Sequence, residues 1–205
     1  MHDLLPLTIV NVGYLSTNYW LISAGKSRLL VDLGYPGTMG TMRARLKQMD
    51  IPLQEIRYAL ATHFHIDHAG LAQELKMEGV GLIVLENQIS AIPLMKQFTK
   101  PRDHYMDISL EGNVTISFQQ SRALLAQVGI RGEILSTPGH SDDSVSLILD
   151  DGSAFTGDLT PLKHAWGEAG EIVKASWDLL ARKGTKLIYP GHGPISPMAS
   201  VDLNN

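Results

Sequence analysis

Thr62-His63-Phe64-His65-Ile66-Asp67-His68-Ala69-Gly70 crowds three imidazoles and a carboxylate into residues 63–68, in the pattern HxHxDH. Buried polar groups this dense are costly unless something pairs with them. A metal ion is the simplest partner. The preceding run, residues 56–62, reads as a strand, so the cluster begins at a strand's C-terminal end. The chain has no cysteine. Disulfides and thiolate ligands are therefore excluded, and an open, reactive site of imidazole and carboxylate is expected.

Three more candidates follow strand-like runs. His140 comes after residues 134–136 through Thr137-Pro138-Gly139. Asp158 comes after residues 154–156 through Gly157. His192 comes after residues 186–189 through Pro190-Gly191. Strand ends of one sheet system share an edge, so these loops can converge. Glycines at 139, 157 and 191 let the backbone turn sharply beside each candidate. The set is five histidines and two aspartates. A catalytic zinc takes about three protein ligands plus water. Seven groups suit two ions sharing one carboxylate, roughly 3.5–4 Å apart. The donor types suit zinc first, with iron or manganese open.

The rest of the chain frames this site. Its 205 residues fit one domain over 1–205. A net charge of −4 gives no electrostatic case for nucleic acid or an anionic membrane. No apolar run approaches the roughly 20 residues of a membrane span. Met1-His2-Asp3-Leu4-Leu5-Pro6 has no basic stretch, so no secretory signal is expected and a cytoplasmic home is the default. His2 reads as a solvated terminus. The expected partner is a small-molecule substrate, and the oligomeric state stays open.

Residues 7–12, 19–22, 28–31, 81–85, 114–117 and 144–149 also read as strands, with Asp150-Asp151-Gly152 as a hairpin turn. Met39, Met42, Leu46 and Met49 recur at helical spacing and predict a buried methionine stripe. Residues 71–78, 121–128 and 167–182 are helical in pattern. Residues 87–98 read as mostly helical with a break or restart at Pro93. Residues 99–112 are the least regular. Strands with flanking helices imply a layered α/β or α+β architecture.

His63-x-His65-x-Asp67-His68, His140, Asp158 and His192, in that order, resemble the successive ligand motifs of the metallo-β-lactamase-fold hydrolase superfamily. Asp32 in Val31-Asp32-Leu33-Gly34 is similar to its upstream aspartate motif. The resemblance runs from about Asn18 to Pro194. It implies an α+β, four-layer αββα sandwich with the metals at one edge of two sheets. It also implies that His63, His65 and His140 hold one metal, that Asp67, His68 and His192 hold a second, and that Asp158 bridges them. Asp32 would orient a ligand from behind. A metal-bridging hydroxide would attack the substrate, with Asp67 aligning it. His164, and behind it Tyr105 and His104, in loops expected near the metal edge, are candidate substrate contacts.

The resemblance is to short, undecorated members, similar to hydroxyacylglutathione hydrolase-like proteins. The expected reaction is hydrolysis of a small ester, thioester or lactone. Few residues follow His192, where glutathione thioesterases carry a helical region for the thiol, so glutathione specificity is not implied. β-Lactamase subclasses with a cysteine ligand are excluded by composition. One alternative is an iron persulfide dioxygenase-like oxidoreductase using His63, His140 and Asp158. Lower in rank is a phosphodiesterase or nuclease, against the net negative charge. A binding module without catalysis would leave the full open-site ligand set unexplained.

Overall fold

The structure is a computed structural model that describes residues 6–201. His2 and most of the N-terminal stretch assessed for a signal lie outside the described residues. Two sheets form the body. The first has six strands: β1 (Leu7–Asn11), β2 (Trp20–Ala24), β3 (Ser27–Val31), β4 (Ile56–Leu60), β5 (Gly81–Leu85) and β6 (Val114–Ile116), in sequence order across the sheet. β1 to β3 form an antiparallel meander, and β3 to β6 run parallel. The second sheet holds β7 (Gly132–Ser136), β8 (Val145–Leu149), β9 (Ser153–Gly157), β10 (Leu187–Pro190) and β11 (Ser196–Pro197), in the order β11-β10-β9-β8-β7.

Alternation along the strands makes the layers. In β2, Trp20 and Ile22 face the core between the sheets, whereas Leu21 faces an outer core. β3 sends Leu29 and Val31 inward and Leu30 outward. β5 sends Ile83 and Leu85 inward and Leu82 and Val84 outward. From the second sheet, Ile134, Leu147 and Phe155 fill the central core, while Leu135, Ile148 and Ala154 face the opposite outer core. Strands buried on both faces read as near-continuous apolar runs, which is why these segments lack clean polar alternation.

Helices close both outer cores. α1 (Met39–Gln48) and α3 (Ala72–Met77) cover the first sheet through Met42, Leu46 and Leu75. α5 (Gly167–Arg182) covers the second with Val173, Trp177 and Leu180, at helical spacing. Two further short helices are α2 (Ile66–Ala69), within the HxHxDH loop, and α4 (Ser121–Ala126). The result is the expected α+β αββα sandwich.

Two local expectations need correction. Met49, at the end of the methionine stripe, is exposed, because α1 ends before it and the chain turns there. Residues 87–98 are not mostly α-helical. A run of turns leads into a 3-10 helix, Ile92–Phe98, with Pro93 in its first turn, where the missing N–H costs little.

Candidate metal centre

All the sequence-predicted ligands stand at C-terminal strand ends. β7, β9 and β10 point the same way, since β7–β8 and β8–β9 are antiparallel and β9–β10 is parallel. The sheets are tied at this edge. The Val145 N–H donates to the Thr62 carbonyl at 2.8 Å, and the Phe64 N–H donates to Asp143 Oδ2 at 2.7 Å. The buried Gln88 amide donates to the Ala61 carbonyl at 3.0 Å and the Asp143 carbonyl at 3.3 Å. The end of β4 is thereby held against the Ser141–Ser144 turn, which brings His140 to His63 and His65.

The potential ligand atoms gather into overlapping groups. His63, His65 and His140 form one. Asp67, His68 and His192 form another. His63, His68 and Asp158 form a third, and within each the ligand atoms lie within 4.8 Å of one another. The His63 ring centroid is 4.4, 4.2 and 4.7 Å from those of His65, His68 and His140. Asp158 Oδ2 lies 3.4 Å from His68 Nε2, 3.5 Å from His192 Nε2 and 3.9 Å from His140 Nε2. It thus touches members of both triads.

Hydrogen bonds behind the rings assign the free lone pairs. The Thr62 hydroxyl donates to Asp32 Oδ1 at 2.9 Å, which uses its only hydrogen. It must therefore accept at 3.1 Å from His63 Nδ1–H, leaving a lone pair on His63 Nε2. His63 Nε2 is buried without a hydrogen-bond partner, as is Asp158 Oδ1. His192 Nδ1 donates to the Ser16 carbonyl at 2.8 Å, so its Nε2, 3.2 Å from Asp67 Oδ2, is also a free donor atom. His68 Nδ1 lies 2.9 Å from Asp32 Oδ2, while its Nε2 lies 3.3 Å from Asp67 Oδ2. Asp32 also accepts the Thr62 N–H at 2.8 Å. It adopts a left-handed φ of 60°, a conformation aspartate tolerates better than most residues. Its position behind His68 is that of a carboxylate orienting a metal-binding imidazole.

Electrostatics fit a cation. Burial, reinforced by the neighbouring His68, His65 and His140, holds His63 well below the usual imidazole range, so it is neutral. Burial also lowers His140, outweighing the attraction of Asp158. Burial opposes a charged His68, yet the Asp32 charge and contacts with Asp158 and Asp67 push it up to about 12. Burial likewise opposes ionised Asp67 and Asp158, and His68 overrides it in both. Three carboxylates, Asp32, Asp67 and Asp158, thus surround His68 beside the imidazoles of His63 and His140, which burial keeps from charging. A divalent cation complements that set better than one proton does.

Glycines make the close approach possible. A Cβ on Gly191 would strike Asp158 Oδ1 and come within 2.6 Å of His68 Cε1. A Cβ on Gly157, at φ +53°, would collide with the Thr62 side chain.

The remaining candidates are Tyr105, His104 and His164. Tyr105 packs on the outer core of the first sheet; burial raises its phenol, and it bonds the backbone at Ile108. His104 is exposed and stands against Gly37. His164 is exposed at the end of the turn Leu162–His164. Two side chains were not anticipated. The Thr17 hydroxyl donates to Asp67 Oδ2 at 2.9 Å. Tyr35 lies within electrostatic reach of Asp67 and His68, with its phenol raised chiefly by burial. Tyr35 follows Asp32 by three residues, which was the available signal; Thr17 had none.

Known proteins share this design. The sequence profile of the metallo-beta-lactamase superfamily matches residues 12–192. The chain is 30% identical over 186 residues to the lactamase-like protein nscB of Trichophyton rubrum, covering 86% of this chain and 49% of that protein. It is 28% identical over 189 residues to a beta-lactamase-like protein 2 homolog of Caenorhabditis elegans, covering 87% and 56%. The chain therefore spans about half the length of these relatives. A metallo-beta-lactamase family protein of Thermus thermophilus superposes with a TM-score of 0.69 at 22% identity, covering 96% of this chain and 76% of that one, a likeness of fold. The chain belongs to the metallo-beta-lactamase superfamily, and that membership supports a metal-dependent, hydrolase-type activity.

Proposed function

We propose that the protein is a dinuclear metallohydrolase acting on a small ester, thioester or lactone. His63, His65 and His140 would hold one ion, Asp67, His68 and His192 a second, and Asp158 both. The observation that carries this reading is Asp158, which lies within 4 Å of imidazole nitrogens from both triads. Zinc suits the donors best, with iron or manganese as other occupants.

Two divalent ions, when bound, supply Lewis acidity toward a carbonyl oxygen and a water that ionises near neutral pH. The chain's own groups orient the reaction. Thr17 fixes Asp67 through Oδ2, and Asp67, held ionised, accepts a hydrogen bond from the attacking water and aligns it. Asp32 and the Ser16 carbonyl hold the Nδ1 sides of His68 and His192, so their Nε2 atoms face the centre. Water's oxygen adds to the acyl carbon. The bond to the leaving oxygen or sulfur breaks with its electron pair. Water's two protons finish on the product acid or its buffer and on the leaving group.

The test is elemental analysis of protein purified without added metal, followed by a panel of thioesters, lactones, β-lactams and phosphodiesters. Two ions per chain and turnover of an acyl compound are expected. One iron per chain with oxygen uptake would overturn the hydrolase reading, and phosphodiester cleavage alone would move it to another substrate class.

A further inference from the structure

A cavity of about 1090 Å³ opens beside the metal edge, between the outer face of the second sheet and the N-terminal half of α5. That is slightly above the roughly 300–1000 Å³ of pockets that hold drug-sized ligands. Its wall includes Leu159, Leu162, Ile188 and Trp177. The one polar atom of Trp177 is satisfied, because its ring N–H donates to the Thr160 carbonyl at 2.9 Å. The indole therefore offers the cavity an apolar surface. Trp166 also lines it, although 80% of that residue is exposed. Lys163, Glu171 and Lys174 also line it, so charge of both signs stands beside the apolar groups.

His192 belongs to both places. Its Nε2 faces Asp67 and Asp158, and its residue lines the cavity together with Gly157, which precedes Asp158. A substrate with its carbonyl at the centre has this apolar space next to it.

We propose that the cavity receives the acyl group of the substrate, and that the protein selects esters or thioesters of bulky apolar acids over acetyl-sized ones. This rests on the hydrolase reading above. Each methylene moved from water into the cavity contributes a factor of about three to four, as ~0.8 kcal/mol of transfer free energy implies. Selectivity then rises with acyl length until the cavity is full.

The experiment has two arms on the metal-loaded protein. In the first, kcat/KM is measured for thiophenyl esters with acyl chains from acetyl to decanoyl, in the natural protein and in Ser200→Trp and Ala165→Phe. Both positions line the cavity, and Ser200 is exposed, so a larger side chain there fills space without entering a core. The expected result is a rise of about three- to four-fold per methylene, with the decanoyl-to-acetyl ratio falling on the order of ten-fold or more in each folded variant. In the second arm, calorimetry measures decanoate and acetate binding without turnover. Decanoate should bind, weaken in both variants, and outcompete acetate. A flat acyl series with measurable turnover overturns the acyl pocket and leaves the hydrolase reading standing. Decanoate binding that the variants weaken, with no ester cleaved, supports the pocket and removes the hydrolase. Absence of both decanoate binding and chain-length dependence overturns the proposal.

Discussion

His68, Asp67 and His192 each lean on a neighbour: Asp32 at 2.9 Å, the Thr17 hydroxyl at 2.9 Å and the Ser16 carbonyl at 2.8 Å. The other half of the cluster is looser. His63 has Thr62 behind it, but His65 Nδ1 and His140 Nε2 face each other at 3.1 Å. The first half is held by these partners and carries Asp67; the second is made of imidazole rings with fewer supports behind them. Preorganised donors with negative charge bind a dication with less rearrangement. The two halves should therefore differ in affinity, the Asp67/His68/His192 side filling first.

Asp158→Ala removes the residue both halves share and should have the largest effect. Metal content should fall at both positions and turnover should drop on the order of 10³-fold or more, with the far-UV circular dichroism unchanged. Full metal content in that variant would break the shared-carboxylate reading. The asymmetry itself is tested by comparing His192→Ala with His65→Ala. By elemental analysis after dialysis, His65→Ala should keep one tightly held ion, whereas His192→Ala should lose the tighter one. The reverse order would sink the comparison.

Gly191→Ala tests the packing between the halves. Its new methyl meets Asp158 and His68, and a displacement of about 1 Å at such a site costs on the order of 10²-fold in rate. Normal kcat there would mean that the loop moves aside freely. Asp32→Ala should weaken metal affinity roughly 10- to 100-fold by releasing His68, measured by competition with a chelating dye. A loss equal to that of His65→Ala would make Asp32 more than a supporting group. Thr17→Val should be mildest, about five-fold in kcat/KM, as expected for a single hydrogen bond of about 1 kcal/mol. No change would show that Asp67 holds its own orientation.

Much of this was legible in the sequence because ligands at strand ends leave a local signature. His63, His140, Asp158 and His192 each follow an apolar run and most follow a glycine, and those runs became β4, β7, β9 and β10. The layering was legible only through resemblance, since strands buried on both faces lack the alternation that marks a half-buried sheet. What stayed hidden depends on distant backbone. Thr17 lies fifty residues from Asp67, and the Ser16 partner of His192 is a carbonyl, which every residue has. Tyr105 lies in an irregular segment, and such segments carry no period to say which way they fold back. The cavity beside α5 is assembled from three separate segments and could not be read from any of them.

Residues 16–20 grip the loop that carries His192. Asn18 donates from its backbone to Gly191 and from its side chain to Pro190 and Gly193, and the Trp20 ring donates to Pro190. These contacts join positions about 170 residues apart in the chain. During synthesis, His63 to His68 leave the ribosome long before His192 exists. The second triad cannot close until the last strands have docked, so ion loading at that side reports completion of the fold. Contacts of such long range form late and slowly. A chain stalled or cut before β10 would carry the HxHxDH loop with His140 and Asp158 but without His192, and would expose those imidazoles to whatever metal the surroundings offered.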